Sequence, residues 1–149
     1  MRAIYFDMDG TIANFYNVDG WLDSLMKSHT KPYREAKPLL NMRQFARELN
    51  RLQKLGYIIG IVSWLSKGAD DLYNERVTKT KKQWLCKHLS SVEWDEIHIV
   101  EYGTPKHTVV DHPNGILFDD EINNRKEWDK GNGLGFDVDN IIEVLKGII

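Results

Sequence analysis

Two carboxylates and a glycine turn stand near the start of the chain, in Ile4-Tyr5-Phe6-Asp7-Met8-Asp9-Gly10-Thr11. The apolar run predicts a buried strand over Arg2 to Met8, ending where ligands bind in α/β sheets. Strand alternation sends the side chains of Asp7 and Asp9 the same way. Two carboxylates held together repel, so they favour a cation or a proton between them. An attacking carboxylate, a proton donor and a magnesium site can all be built from such a pair. An isolated Asp-x-Asp is most often an acidic turn. Directly after a hydrophobic strand, and followed by Gly-Thr, it is a far more specific signal.

Three later features belong to the same chemistry. Ser63 closes the apolar run Tyr57-Ile58-Ile59-Gly60-Ile61-Val62, and its hydroxyl and the N–H groups after it can donate to phosphate oxygens. Lys106 lies between the third and fourth predicted strands, where an ammonium could meet the charge of a phosphoryl group in transfer. Lys67, soon after Ser63, and Lys130, after the acidic pair, compete for that role. Asp119-Asp120 closes Ile116-Leu117-Phe118, although an acidic pair there could equally cap a helix.

Asp7-Met8-Asp9-Gly10-Thr11 resembles the first signature of the haloacid dehalogenase-like (HAD) phosphatases. Ser63, Lys106 and Asp119-Asp120 then follow in that family's order, and the resemblance covers essentially the whole chain. It implies Asp7 as the nucleophile, carrying a phosphoaspartyl intermediate. It implies Asp9 as the acid that protonates the leaving oxygen and then activates water. Among the competing lysines, only Lys106 has the family's position. The resemblance also implies magnesium, held by the Asp7 carboxylate, the Asp9 backbone carbonyl and the Asp119–Asp120 pair. Which of Asp119 and Asp120 binds directly stays open. The metal would neutralise charge that keeps an anionic nucleophile from an anionic phosphate.

A narrower resemblance, to the 5′(3′)-deoxyribonucleotidase-like branch, lies in Asp7 to Phe15 and in Lys106-His107-Thr108-Val109-Val110 leading into an apolar strand and Asp-Asp. It implies a nucleoside pocket with an aromatic at Phe15. A ring there could stack a base or simply belong to the core. Gly10, Thr11, Phe15 and Trp64 are the candidate substrate-binding residues. The chain departs from that branch in its short insert after the first motif, and in Trp64, where smaller residues are usual.

The elements that must position these residues alternate. Trp21 to Ser28 predicts a short helix. Lys31 to Pro38 predicts a proline-punctuated, partly irregular segment. From Leu39 the spacing of Met42, Phe45, Leu49 and Leu52 predicts a helix stopped by Gly56. A helix is expected to about Leu89, with Val77, Trp84, Leu85 and His88 on one side. Lys79, Lys81, Lys82 and Lys87 are expected on a solvated face. Glu96 to Val100 is a third strand, and His98 within it reads as packed rather than as a ligand. Ile122 to Trp128 reads as helix, and Gly131 to Gly135 as a flexible loop. Phe136 to Val138 reads as an edge strand, followed by a final helix capped by Asp139.

Strands alternating with helices predict a three-layer α/β/α, Rossmann-like HAD fold with a central parallel sheet. One domain is expected over 1–149, with a small lid at about 14–38.

The sequence of 149 residues carries a net charge of −2, so no global basic field points to nucleic acid or to an anionic membrane. Its one cysteine excludes a disulfide framework and thiolate zinc clusters. No stretch has the length of a membrane span or the apolar region of a signal peptide, so the cytoplasm is the expected compartment. No Walker phosphate loop or Gly-x-Ser-x-Gly elbow is present. The leading function is a magnesium-dependent hydrolase of small phosphomonoesters, with nucleoside monophosphates foremost. The chain is expected to act as a monomer or weak homodimer. The alternatives are a sugar-phosphate phosphatase, a polynucleotide 3′-phosphatase, or a phosphate-binding regulator of the same fold with little turnover.

Overall fold

The structure, a computed structural model, describes residues 2–149. Among the described residues, parallel strands β1 (Ala3–Phe6), β2 (Ile58–Trp64), β3 (Glu96–Val100), β4 (Ile116–Phe118) and β5 (Leu134–Phe136) form a single sheet in the order β3-β2-β1-β4-β5. β1 pairs with β2 from Ala3↔Ile58 to Phe6↔Ile61, and with β4 from Ile4↔Ile116 to Phe6↔Phe118. The chain leaves β1 toward one edge and returns to its other side at β4. That reversal opens a crevice beyond the carboxyl ends of the central strands.

The helices are α1 (Trp21–Met26), α2 (Lys31–Glu35), α3 (Met42–Lys54), α4 (Asp71–His88), α5 (Ile122–Trp128) and α6 (Ile141–Lys146). Ile4 and Phe6 point to one face of the sheet, against Phe45, Leu49 and Leu52 of α3, Trp84 and Leu85 of α4, and Ile141 and Leu145 of α6. Ala3 and Tyr5 point to the other, with Val62, Leu117 and Trp128 of α5. Both faces are therefore covered, and the strands read as continuous apolar runs for that reason. The fold is the expected three-layer α/β/α arrangement.

Several boundaries differ from the sequence expectation. β1 is shorter, because the chain begins to turn after Asp7. Lys31 to Pro38 is not wholly irregular, since Pro32 sits in the first turn of α2, where its missing N–H is not needed. α3 begins at Met42 rather than Leu39, where the Asn41 side chain accepts the Gln44 N–H at 3.0 Å. β5 begins inside the glycine-rich stretch expected to be a flexible loop. The glycine there serves close packing: a β-carbon on Gly135 would stand 3.1 Å from the Arg125 Cα. α6 follows Asn140, so Asp139 lies one residue outside the cap position. Among the described residues, no helix is long and apolar enough to cross a membrane.

The 14–38 segment packs over the carboxyl edge of the sheet against α4. Phe15 and Tyr33 meet Leu65, Tyr73 and Val77 in a separate hydrophobic cluster. Polar contacts fasten it: the Tyr33 and Ser66 hydroxyls lie 2.5 Å apart, and the Tyr73 hydroxyl donates to the His29 carbonyl at 2.7 Å.

Candidate active site

Beyond β1 the backbone folds back within a few residues. The Met8 carbonyl accepts the N–H groups of Thr11, Ile12 and Ala13 at 3.1, 3.0 and 3.0 Å. Gly10 makes this turn at φ +82°, and a β-carbon there would run into the Asp120 carboxylate. Thr11 Oγ1 lies 3.0 Å from Asp7 Oδ2 and 3.3 Å from Asp120 Oδ1, and it accepts the Asp120 N–H at 3.3 Å. Gly10 and Thr11 were expected against substrate. The structure sets them behind the carboxylates instead, where Thr11 ties the first motif to the last.

The Asp7 N–H donates to the Phe118 carbonyl at 2.9 Å, which brings the end of β1 to the start of Asp119-Asp120. Lys106 enters from a single 3-10 turn, Lys106–Thr108. Its Nζ donates to Asp7 Oδ1 at 2.9 Å and to Asp119 Oδ2 at 2.6 Å. Burial works against the ammonium, yet the charges of Asp7 and Asp119 hold its pKa above the ordinary lysine value. Asp119 is fully buried. Its Oδ1 accepts the Glu121 N–H at 2.9 Å, and its Oδ2 also accepts from Asn124 Nδ2 at 3.2 Å.

Carboxylate oxygens of Asp7, Asp119 and Asp120 all lie within 4.8 Å of one another. Burial, followed by the charge of Asp7, pushes the Asp119 carboxyl up to about 6 and that of Asp120 up to about 8. One lysine therefore leaves this cluster short of positive charge. An all-oxygen donor set with that deficit fits a hard divalent cation such as magnesium.

Asp9 lines the same cavity as Asp7. Burial raises its pKa against the pull of Lys81. Lys81 was expected on a solvated face, and that expectation is corrected: its side chain is 1 % exposed. Its Nζ donates to Asp9 Oδ2 at 2.9 Å, to Ser63 Oγ at 2.8 Å and to the Trp64 carbonyl at 2.7 Å. The signal was in the spacing. Position 81 is four residues beyond Val77 and three before Trp84, on the buried stripe of α4 rather than beside it. Ser63 stands behind Asp9 with its Oγ engaged by Lys81. The Leu65 N–H, expected to face a phosphate, is taken by the Val100 carbonyl at 2.7 Å.

The carboxylates open into a cavity of about 640 Å³. One wall is Tyr16, Trp21, Leu22 and Met26 from the 14–38 segment, and the other is Trp64, Lys67 and Tyr102. Trp64 is fixed there. Its indole N–H donates to the Thr104 carbonyl at 2.7 Å, its ring tilts against Tyr102 at 4.9 Å, and Lys106 Nζ lies 5.4 Å from its centroid. Phe15 borders the cavity but is only 3 % exposed, wedged against Tyr33, Tyr16 and Trp21. The ring that presents surface is its neighbour Tyr16, 53 % exposed. Tyr16 is one of the aromatics of the 14–38 segment that the sequence offers for stacking, whereas Tyr102 was not singled out, since nothing in the sequence separates it from an ordinary loop tyrosine. Of the lysines that competed with Lys106, Lys67 lies at the rim near the Tyr102 ring, and Lys130 pairs with Glu127 on the surface.

Solved structures with this arrangement of sheet and helices include two heptose bisphosphate phosphatases and a HAD family enzyme. A D,D-heptose 1,7-bisphosphate phosphatase from Burkholderia thailandensis matches 89 % of the chain over 75 % of its own, with TM-score 0.55 and 14 % identity. The heptose bisphosphate phosphatase from B. bronchiseptica, complexed with magnesium and phosphate, matches 91 % of the chain over 79 % of its own, at TM-score 0.56 and 12 % identity. A HAD family enzyme from Bacteroides thetaiotaomicron, in a magnesium complex, matches 99 % of both chains at TM-score 0.56 and 10 % identity. The chain has the HAD fold. No family model and no curated protein sequence matches it. The likeness of this HAD-fold chain to those enzymes is one of architecture, and its chemistry rests on its own residues.

Proposed function

We propose that this protein is a magnesium-dependent phosphomonoester hydrolase that works through a phosphoaspartyl intermediate on Asp7, with nucleoside monophosphates as its substrates. The observation that carries the reading is the Asp7 carboxylate. It is pinned by Lys106 and Thr11 at the mouth of a cavity that also holds Asp9, Asp119 and Asp120.

Asp7 attacks phosphorus, and the ester P–O bond breaks. Asp9, whose raised pKa suits an acid, protonates the departing oxygen. Water then attacks phosphorus with Asp9 taking its proton, and Asp7 is released. Lys106 meets negative charge as the phosphoryl group passes between oxygens. Asp7, Asp120 and the Asp9 carbonyl would hold magnesium. Asp120 is favoured over Asp119 because both oxygens of Asp119 already serve protein donors. When bound, the metal supplies positive charge that lets an anionic nucleophile approach an anionic ester.

The nucleotide preference is supported by the aromatic walls, where Tyr16 and Tyr102 offer half-exposed rings at the mouth of a cavity large enough for a nucleoside. The 14–38 segment then acts as a small fixed lid over the leaving group.

The test is phosphate release from nucleoside monophosphates, sugar phosphates, 3′-phosphorylated oligonucleotides and simple aryl phosphates, with and without magnesium. The expected result is metal-dependent release, fastest from nucleotides. Preference for a sugar phosphate or an oligonucleotide end would overturn the substrate. Binding of phosphate without turnover on any ester would leave a regulator of the same fold.

A further inference from the structure

A lysine amid the apolar stripe of a helix needs a reason, because burying its ammonium costs several kcal/mol unless its charge and protons are matched. Lys81 is matched fully. The ammonium has three protons, and the structure gives it three acceptors: Asp9 Oδ2, Ser63 Oγ and the Trp64 carbonyl. Two of these belong to β2, a buried strand that does not move relative to α4 without breaking the core. The third is the carboxylate that meets the substrate. Lys81 is buried on the same helix as Val77 and Trp84, and its Nζ sits 5.1 Å from the centroid of the Tyr33 ring of α2.

Asp9 itself has little else to hold it. It lies past the end of β1 in a tight turn, and among the described residues no side chain other than Lys81 donates a hydrogen bond to its carboxylate. Rotation about its side-chain bonds is therefore checked mainly by one contact. With Oδ2 fixed by Lys81, Oδ1 is the oxygen left to carry a proton toward a leaving group.

From this geometry we propose that Lys81 is a positioning residue. Anchored on Ser63 and the Trp64 carbonyl, it holds the Asp9 carboxylate in the orientation needed to protonate the leaving oxygen and later to take a proton from water. The inference rests on the phosphatase reading. Ser63 accordingly acts as part of the mount for Lys81, as well as through its own free hydroxyl proton.

The consequence is selective. A positioned acid matters most when the leaving group is a poor one, such as an alkoxide. It matters little when the leaving group is a stable phenolate that departs without a proton. Lys81→Met keeps the length and apolar stem but has no donor, and Lys81→Gln keeps a shorter, neutral donor. Turnover of both variants is measured on a nucleoside or alkyl phosphate and on a nitrophenyl phosphate, with saturating magnesium. Phosphoenzyme formation is followed by rapid quench. For Lys81→Met, kcat for phosphoenzyme formation on the alkyl ester should fall by about a hundredfold, the size of a lost general acid. The nitrophenyl ester should lose less than about tenfold on the same basis, KM should change little, and Lys81→Gln should fall between. Asp9→Asn should show the same selectivity, and combining it with Lys81→Met should add almost nothing.

Equal losses in the rate of phosphoenzyme formation on both esters, or a change in KM alone, would overturn the inference, since a merely structural lysine or a phosphate-binding one gives those patterns. If neither variant folds, the wild-type chain still decides the matter. Beside that of the buried Lys106, a nitrogen-proton spectrum should contain a second slowly exchanging lysine ammonium signal, absent in Lys81→Gln if that variant folds, that moves in Asp9→Asn and in Ser63→Ala. Its absence would reject the three-acceptor mount. A wild type that hydrolyses no phosphomonoester, yet shows that signal, would retire the phosphatase reading and with it the role of Lys81, while keeping the geometry.

Discussion

Lys106 Nζ stands 2.9 Å from Oδ1 of Asp7, at the end of a side chain that is almost wholly buried. The same ammonium reaches Asp119, so a single cation holds the first and last motifs together. Lys106→Ala should lower kcat by about a hundredfold or more, because it removes positive charge from the phosphoryl group in transfer. It should also destabilise the fold, since two buried carboxylates lose their partner. Lys67→Ala and Lys130→Ala should leave kcat within about twofold, as rim and surface lysines do. Steady-state kinetics on one substrate compares all three.

Asp119 and Asp120 should separate in their response to metal. Asp119→Asn removes a partner of Lys106, so kcat should fall more than the affinity for magnesium. Asp120→Asn removes the carboxylate less engaged by protein donors, so the magnesium needed for half-maximal rate should rise by about tenfold or more. A magnesium titration of activity for each variant reads this directly.

The carboxylate cluster predicts a pH dependence of stability. Folding raises the Asp119 and Asp120 carboxyls from 3.8 to about 6 and about 8, so across that interval the folded protein binds more protons than the unfolded chain. Metal-free stability should therefore fall as pH rises from about 4 to about 8. His88 is pushed below its ordinary value by burial and by Lys87, and it contributes the opposite slope around its own titration. Asp120→Asn keeps that histidine and removes one strongly raised carboxyl, so its profile should be flatter than wild type. Magnesium competes with the protons, so its stabilising effect should grow over the same interval. Denaturant midpoints at several pH values, with and without metal, test both statements.

Asp7→Asn should abolish turnover and phosphoenzyme formation, since an amide is no nucleophile toward phosphorus. The variant should remain folded. Its amide oxygen can still accept from Lys106, and one repelling charge leaves the cluster. Its metal-free denaturant midpoint at pH 8 should equal or exceed that of wild type. Substantial residual hydrolysis in the purified variant would remove Asp7 from the nucleophile's role.

Phe15 and Tyr16 are neighbours with different expected effects. Phe15 is buried among Tyr33, Leu65, Tyr73 and Val77, so Phe15→Ala should cost about 3–5 kcal/mol of stability and lower activity on every substrate. Tyr16→Ala removes an exposed ring. It should reduce kcat/KM for nucleotides by about tenfold to a hundredfold, the worth of one base stack, and spare small alkyl phosphates. Equal loss on all substrates in Tyr16→Ala would instead make the ring a support of the Gly10 turn.

The sequence by itself determined the alternation of strands and helices, because parallel strands buried on both faces must be apolar runs and covering helices must carry a periodic stripe. It also determined the order of Asp7, Asp9, Ser63, Lys106 and Asp119-Asp120, the carboxylates and the serine at or near strand ends and the lysine in the loop between β3 and β4, since such chemistry is written in local motifs. Tertiary structure decided what no local pattern records. Lys81 became part of the site because α4 lies across the end of β2, so that a lysine 72 residues from Asp9 in sequence can reach it. Thr11 became a tie between motifs because Asp120 comes to rest above Gly10. Phe15 went inward and Tyr16 outward because the 14–38 segment packs on α4, and adjacent aromatic residues in a loop carry no period that tells one side from the other.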